Sequence, residues 1–161
     1  MPHPITLPRP ALGLLLCVAS LPALAASADD ITVDGAYVRE VPPMVHNSAA
    51  FMTLSNSSDT DAALVAVHSM AADTIELHTH INDDGVMRMR QIPEITVAAG
   101  ATTKLQPGGL HVMLLGLTAP LQQGRTVSLE LEFADGSRTR IEAPVMPVMS
   151  GMRHGHHGKH H

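Results

Sequence analysis

Residues 126–133 read Thr126-Val127-Ser128-Leu129-Glu130-Leu131-Glu132-Phe133. Apolar side chains fall on Val127, Leu129, Leu131 and Phe133, polar ones on Ser128, Glu130 and Glu132. Successive side chains of an extended backbone point to opposite faces, so this stretch is a strand with one dry and one wet face. Working outward from it, short strand-like runs recur at 31–38, 49–55, 63–67, 74–79, 86–92, 95–97, 102–105, 111–117 and 138–143. Turn-forming residues separate them: Asn56-Ser57-Ser58-Asp59, Asn82-Asp83-Asp84-Gly85, Pro107-Gly108-Gly109 and Ala134-Asp135-Gly136-Ser137. No window carries a long apolar stripe of helical period with caps. Regular short strands at this spacing predict an all-β antiparallel sandwich. Pro144 and Pro147 are expected to close the last strand, because proline has no N–H to give to a ladder.

The chain has 161 residues, enough for one domain with its own core. Arg9 precedes an apolar run over 11–24 that ends at Ala23-Leu24-Ala25, the small-x-small pattern read by signal peptidase. The run is short for a membrane span, and polar residues follow at once. Residues 1–25 are expected to be a cleaved signal peptide, residues 26–145 the domain and residues 146–161 a flexible tail. The mature chain is then periplasmic, with no stable membrane insertion. The single cysteine, Cys17, leaves with the signal, and Leu15-Leu16 before it do not suit lipid attachment. Disulfides, thiolate ligands and cysteine nucleophiles are thereby excluded from the mature protein.

Net charge is −5 over the whole chain, and aromatics amount to one Tyr, two Phe and no Trp. Without a basic stripe or stacking rings, nucleic-acid binding is disfavoured. Ten methionines and eleven histidines stand out instead.

These two types meet in the middle of the chain, in IELHTHINDDGVMRMRQI and TTKLQPGGLHVMLLGL. His78 precedes Met89, and His111 precedes Met113 by two positions, which places the latter pair on one face of a strand. Met87 and Met89 share a face likewise, as do His78 and His80. Thioether sulfur is soft and neutral, and imidazole accepts several transition metals. Two His and two Met without thiolate or carboxylate therefore suit Cu(I), whereas zinc prefers cysteine or carboxylate company and blue copper needs a cysteine. The alternative is ordinary packing. A methionine in a strand is usually core filler, and Met52 and Met70 are assigned to the core on that basis. His68 alone reads as a surface or satisfied histidine.

The spacing His78-x10-Met89-x21-His111-x-Met113 resembles the signature of the PCuAC family, the periplasmic copper A chaperones. The neighbouring Gly85-Val86-Met87-Arg88-Met89-Arg90 and Leu105-Gln106-Pro107-Gly108-Gly109-Leu110-His111-Val112-Met113 match it too, with weaker similarity over most of 31–144. The resemblance implies a cupredoxin-like Greek-key sandwich with an exposed Cu(I) site, whose ligands by carry-over are His78, Met89, His111 and Met113. Delivery to the CuA centre of cytochrome c oxidase (subunit II), or to another copper chaperone, is also implied by the family alone. The roles of Met87, His80, Met44 and His46 stay open.

The tail has five histidines among its last eight residues. It is similar to the His/Met-rich extension of some family members. Met146, Met149 and Met152 favour Cu(I), and His154, His156, His157, His160 and His161 can chelate Cu(II), which makes the tail a candidate auxiliary site. The expectation is thus a monomeric copper chaperone and not an enzyme, since no catalytic carboxylate pair, serine nucleophile elbow or phosphate loop occurs. The rival is a periplasmic storage or resistance protein that sequesters copper without specific delivery.

Overall fold

A computed structural model describes residues 27–147, a short helix α1 (Ser27–Asp30) followed by ten strands. The strands are β1 (Ile31–Arg39), β2 (Asn47–Asn56), β3 (Ala62–His68), β4 (Ala72–Asp83), β5 (Val86–Gln91), β6 (Ile95–Val97), β7 (Thr102–Leu105), β8 (His111–Leu117), β9 (Thr126–Phe133) and β10 (Arg138–Met146). Each strand-like run of the sequence is one of them. The expected signal peptide and tail residues Met149, Met152, His154, His156, His157, His160 and His161 lie outside the described residues.

Hydrogen-bonded neighbours follow the order β5-β4-β8-β2-β1-β10-β9-β3-β6, with β7 on β2. The path folds into two leaves. Leu54, Leu77, Val112 and Leu114 of the first leaf join Leu64, Val97, Leu129, Leu131 and Phe133 of the second in a single core cluster. The all-β sandwich expected from alternation is present, with one departure. Strand β10 pairs with β1 in parallel, Val38 opposite Val145 and Arg39 opposite Met146.

That junction also corrects the expectation for Pro144. The strand does not stop there. The β9–β10 ladder ends at Pro144 opposite Thr126, and the chain continues into the pairing with β1. Proline sits where the strand changes partner, a position at which a missing N–H costs no central ladder bond. Met146 is therefore a strand residue and not part of a free tail. Met70 is a second correction. It is 93% exposed in the β3–β4 turn and no core filler, whereas Met52 is buried as expected.

Strands β4 and β5 form a long hairpin through Asp84 (φ 49°) and Gly85 (φ 86°). Positive φ at both central positions is the turn whose twist matches that of the flanking strands, hence the Asp-Gly pair. Asn82 Oδ1 accepts the Gly85 N–H at 2.7 Å, which fixes the turn further. Every residue of β5 is exposed, so the hairpin stands as the edge of its leaf.

Candidate metal site

Register decides the site. In β8, Val112 and Leu114 point into the core, leaving His111 and Met113 on the outer face of the leaf. His78 is opposite His111 and Glu76 opposite Met113 on β4, while Met89 of β5 is opposite His80. Residues paired across antiparallel strands share a face. His78, His80, Met89, His111 and Met113 are therefore all on one side of the β5-β4-β8 ribbon. Ala49, opposite Met113 on β2, extends the same face, and its short side chain leaves room above the methionine.

A cleft of about 480 Å³ opens there, walled by Arg39, Ala49, Phe51, His80, Met89, His111 and Met113 among others. His111 is the anchor, 3% exposed. Its ring centroid lies 5.2 Å from that of His80, 5.7 Å from that of His78 and 6.3 Å from that of Phe51. Its Nδ1–H donates to the Gly109 carbonyl at 3.0 Å, which leaves Nε2 as the lone-pair nitrogen. Burial pushes the His111 pKa below the ordinary histidine value; the Gly109 bond opposes this, and His80, His78 and Arg39 add to the lowering. A neutral imidazole is the form that can bind a metal.

His78 is held differently. Its Nε2–H donates to Glu76 Oε2 at 2.7 Å, and its Nδ1 is buried without any hydrogen-bond partner. A buried nitrogen left unpaired costs roughly 1–3 kcal/mol, so native proteins seldom leave one idle. A carboxylate that fixes the tautomer of a histidine and leaves its other nitrogen free is the usual arrangement around metal-binding imidazoles.

Of the sequence-derived set, Met89, His111 and Met113 line the cleft, and His78 stands beside His111 with its free nitrogen buried. His80, which the spacing left aside, is on the cleft wall itself. Met87 is opposite Asn82, farther along the hairpin and exposed. Met44 and His46 are exposed in the β1–β2 loop and do not line the cleft. His68 pairs with Glu132 on the other leaf at 2.7 Å. Sequence reasoning missed Glu76, Arg39 and Phe51. Glu76 had a usable signal, since position i−2 on a strand shares the face of His78. Arg39, stacked over the Phe51 ring at 5.2 Å, had none, because only the β1–β2–β8 pairing brings it to the cleft.

Residues 31–145 match the family described as "Putative lipoprotein LpqE-like". The chain belongs to the LpqE-like family. It is 36% identical over 139 residues to "Putative lipoprotein Lxx21020" of Leifsonia xyli subsp. xyli, covering 83% of this chain and 82% of the relative. The word lipoprotein is theirs; Cys17 lies outside the described residues. Solution structures of DR1885 from Deinococcus radiodurans match in two forms. The apo form is 36% identical with a TM-score of 0.60, covering 94% of this chain and 99% of that one. The CuI form is 37% identical with a TM-score of 0.59, covering 71% and 77%. The copper-bound PCuAC domain of PmoF2 shares the fold at 19% identity and a TM-score of 0.64, over 76% of this chain and 97% of that domain. The PCuAC resemblance and the sandwich it implied both hold.

Proposed function

We propose that this chain is a periplasmic copper chaperone that binds Cu(I) through His78, Met89, His111 and Met113 and passes it to an acceptor, with no catalytic step of its own. The observation that carries the reading is the outer face of the β5-β4-β8 ribbon, where Met89, His111 and Met113 line one cleft and His78 stands beside His111. Both imidazoles keep one nitrogen free of protein partners there. The donor set fits the ion: all four are neutral, and soft sulfur with imidazole favours Cu(I) over hard cations. The CuI form of DR1885, at 37% identity, supports the choice of metal.

Release follows from the same features. No anion binds the ion directly, and Glu76 is set one bond away behind His78. Met89 sits on an exposed edge strand at 53% exposure, so an incoming cysteine or methionine of an acceptor reaches the ion from the hairpin side. Exchange of Met89 for the acceptor's sulfur hands the ion over without opening the core. The acceptor proposed from family resemblance is the CuA centre of cytochrome c oxidase.

The tail belongs to the same proposal as a looser auxiliary site, Cu(II) on its histidines. Supporting this, β10 ends at Met146 opposite Arg39, and Arg39 is a wall of the cleft. The strand thus ends one pairing from the cleft wall, and fifteen further residues are chain enough to span the distance, since an extended chain covers roughly 3.3 Å per residue.

The test is an anaerobic Cu(I) titration against a competing chelator. One tight Cu(I) in the full chain, lost in Met113→Ala with the fold unchanged by circular dichroism, supports the assignment. Retention unchanged in that variant sinks it. Transfer to a purified CuA domain, followed by absorbance, separates delivery from mere storage.

A further inference from the structure

The two histidines of the His-Thr-His segment are unequal in the four-ligand reading, which uses His78 and leaves His80 without a task. The geometry gives His80 the better view of the cleft. It lines the wall with Met89, His111 and Met113, whereas His78 does not. Its ring is closer to His111 than that of His78, 5.2 against 5.7 Å. A metal bound by imidazole at about 2.0–2.1 Å holds two ligating rings with centroids roughly 4.5–6 Å apart, and both separations fall in that span.

The hydrogen bonds point the same way. The Gly109 carbonyl faces Nδ1 of His80 at 3.3 Å as well as Nδ1 of His111 at 3.0 Å. A carbonyl has two lone pairs and accepts from both rings, so Nε2 is the lone-pair nitrogen of each. With Nδ1 of His78 unpartnered, three imidazoles each keep one donor atom unused. As they stand, no three His, Cys, Asp or Glu side chains among the described residues close on one point. His80 is half-buried, and among the described residues its ring makes only the long hydrogen bond to the Gly109 carbonyl, so rotating it breaks little.

We propose that His80 is a third imidazole ligand that gives this cleft a Cu(II)-binding mode alongside the Cu(I) mode. The inference rests on the cleft being the copper site. Cu(II) prefers nitrogen and oxygen donors in a tetragonal set, and a site with two imidazoles and two thioethers serves it poorly. His78, His80 and His111 supply three nitrogens, and water completes the set from the open side of the cleft. Reduced and oxidised ions then use overlapping ligands, with His78 and His111 common to both and the methionines dispensable for Cu(II).

The experiment uses the full-length chain with His154, His156, His157, His160 and His161 replaced by alanine, so that the tail does not compete. Cu(II) is titrated against a chelator and followed by electron paramagnetic resonance, and Cu(I) is titrated anaerobically in parallel. The expected result is one bound Cu(II) with nitrogen couplings. His80→Ala and His80→Gln should then weaken Cu(II) by at least about tenfold, the scale on which even outer-shell partners register, and leave Cu(I) affinity in place. Met113→Leu should do the reverse. An unchanged Cu(II) spectrum and affinity in both His80 variants overturns the proposal, as does a parent chain that binds Cu(I) but no Cu(II). A parent that binds neither ion sinks the copper-site reading itself.

Discussion

At the scale of single residues, the site is a problem of nitrogen lone pairs. His111 and His78 are held by opposite nitrogens, the first by a backbone carbonyl and the second by a carboxylate. Glu76 is the residue through which His78 is aimed. Replacing it with alanine frees the ring to turn and should lower Cu(I) affinity about 10- to 100-fold; Glu76→Gln, which still accepts a hydrogen bond, should recover most of the loss in the same chelator competition. His111 carries the pH dependence. Its folded pKa is depressed by burial, so the unfolded chain takes up a proton that the folded chain refuses. The resulting loss of stability is absent well above the ordinary histidine value of about 6.5, appears as pH falls below it, and levels off beneath the folded value. Glu132 is depressed too, chiefly by its His68 partner, but that contribution is lost only lower, in the carboxylate range. Melting temperature of the metal-free protein between pH about 7.5 and about 5 should therefore decline, and His111→Gln should flatten the decline. The same two residues show what a sequence conveys. Their types and spacing mark them as donors, but which nitrogen is free depends on Glu76 and Gly109.

The elements matter through register and turn. Slipping β5 by one residue against β4 would turn Met89 to the opposite face, and the Asp84-Gly85 turn is what fixes that register. Two glycines separate conformational from steric cost. At Gly85 (φ 86°) a Cβ would meet nothing within 4 Å, so Gly85→Ala should cost about 1–2 kcal/mol for left-handed backbone alone. At Gly116 (φ 68°), at the end of β8, it would also stand 2.7 Å from Asp73 Oδ2. Gly116→Ala should thus be the more destabilising of the two, and Asp73→Ala, which removes the carboxylate but leaves its Cβ 3.1 Å away, should relieve part of the difference; urea midpoints read both. Alternation marked several of the strands, because period two survives wherever one face is wet and the other dry, and turn residues delimited the rest. The proline rule erred at Pro144, where a strand changes partner, and the reading of methionine as core filler erred at Met70, whose exposure depends on a turn that no local pattern specifies.

For the whole molecule, the sandwich and the cleft are separable. The core between the leaves holds Leu129 and Leu131 at 0% exposure, both on β9, which pairs with β10 and β3 and carries none of the donors. Leu129→Ala should cost about 2–5 kcal/mol of stability and leave Cu(I) stoichiometry below the melting point unchanged, measured by thermal unfolding and titration together. Among the described residues no helix is long and apolar enough to cross a membrane. Ending the chain after Met146 should leave one tight Cu(I) and remove any further copper, since β10 and its pairing with β1 are complete at that residue.

The sequence by itself determined the all-β class, the strands, the three same-face pairs and the chemical softness of the donors. These are local properties, written in alternation, turn residues and side-chain type. Tertiary structure alone decided that β8 lies beside the β4–β5 hairpin, that His80 shares the cleft, and that Arg39 and Phe51 form its far wall. Pairing between distant strands is set by how two leaves bury one core, and no window of the chain contains that information.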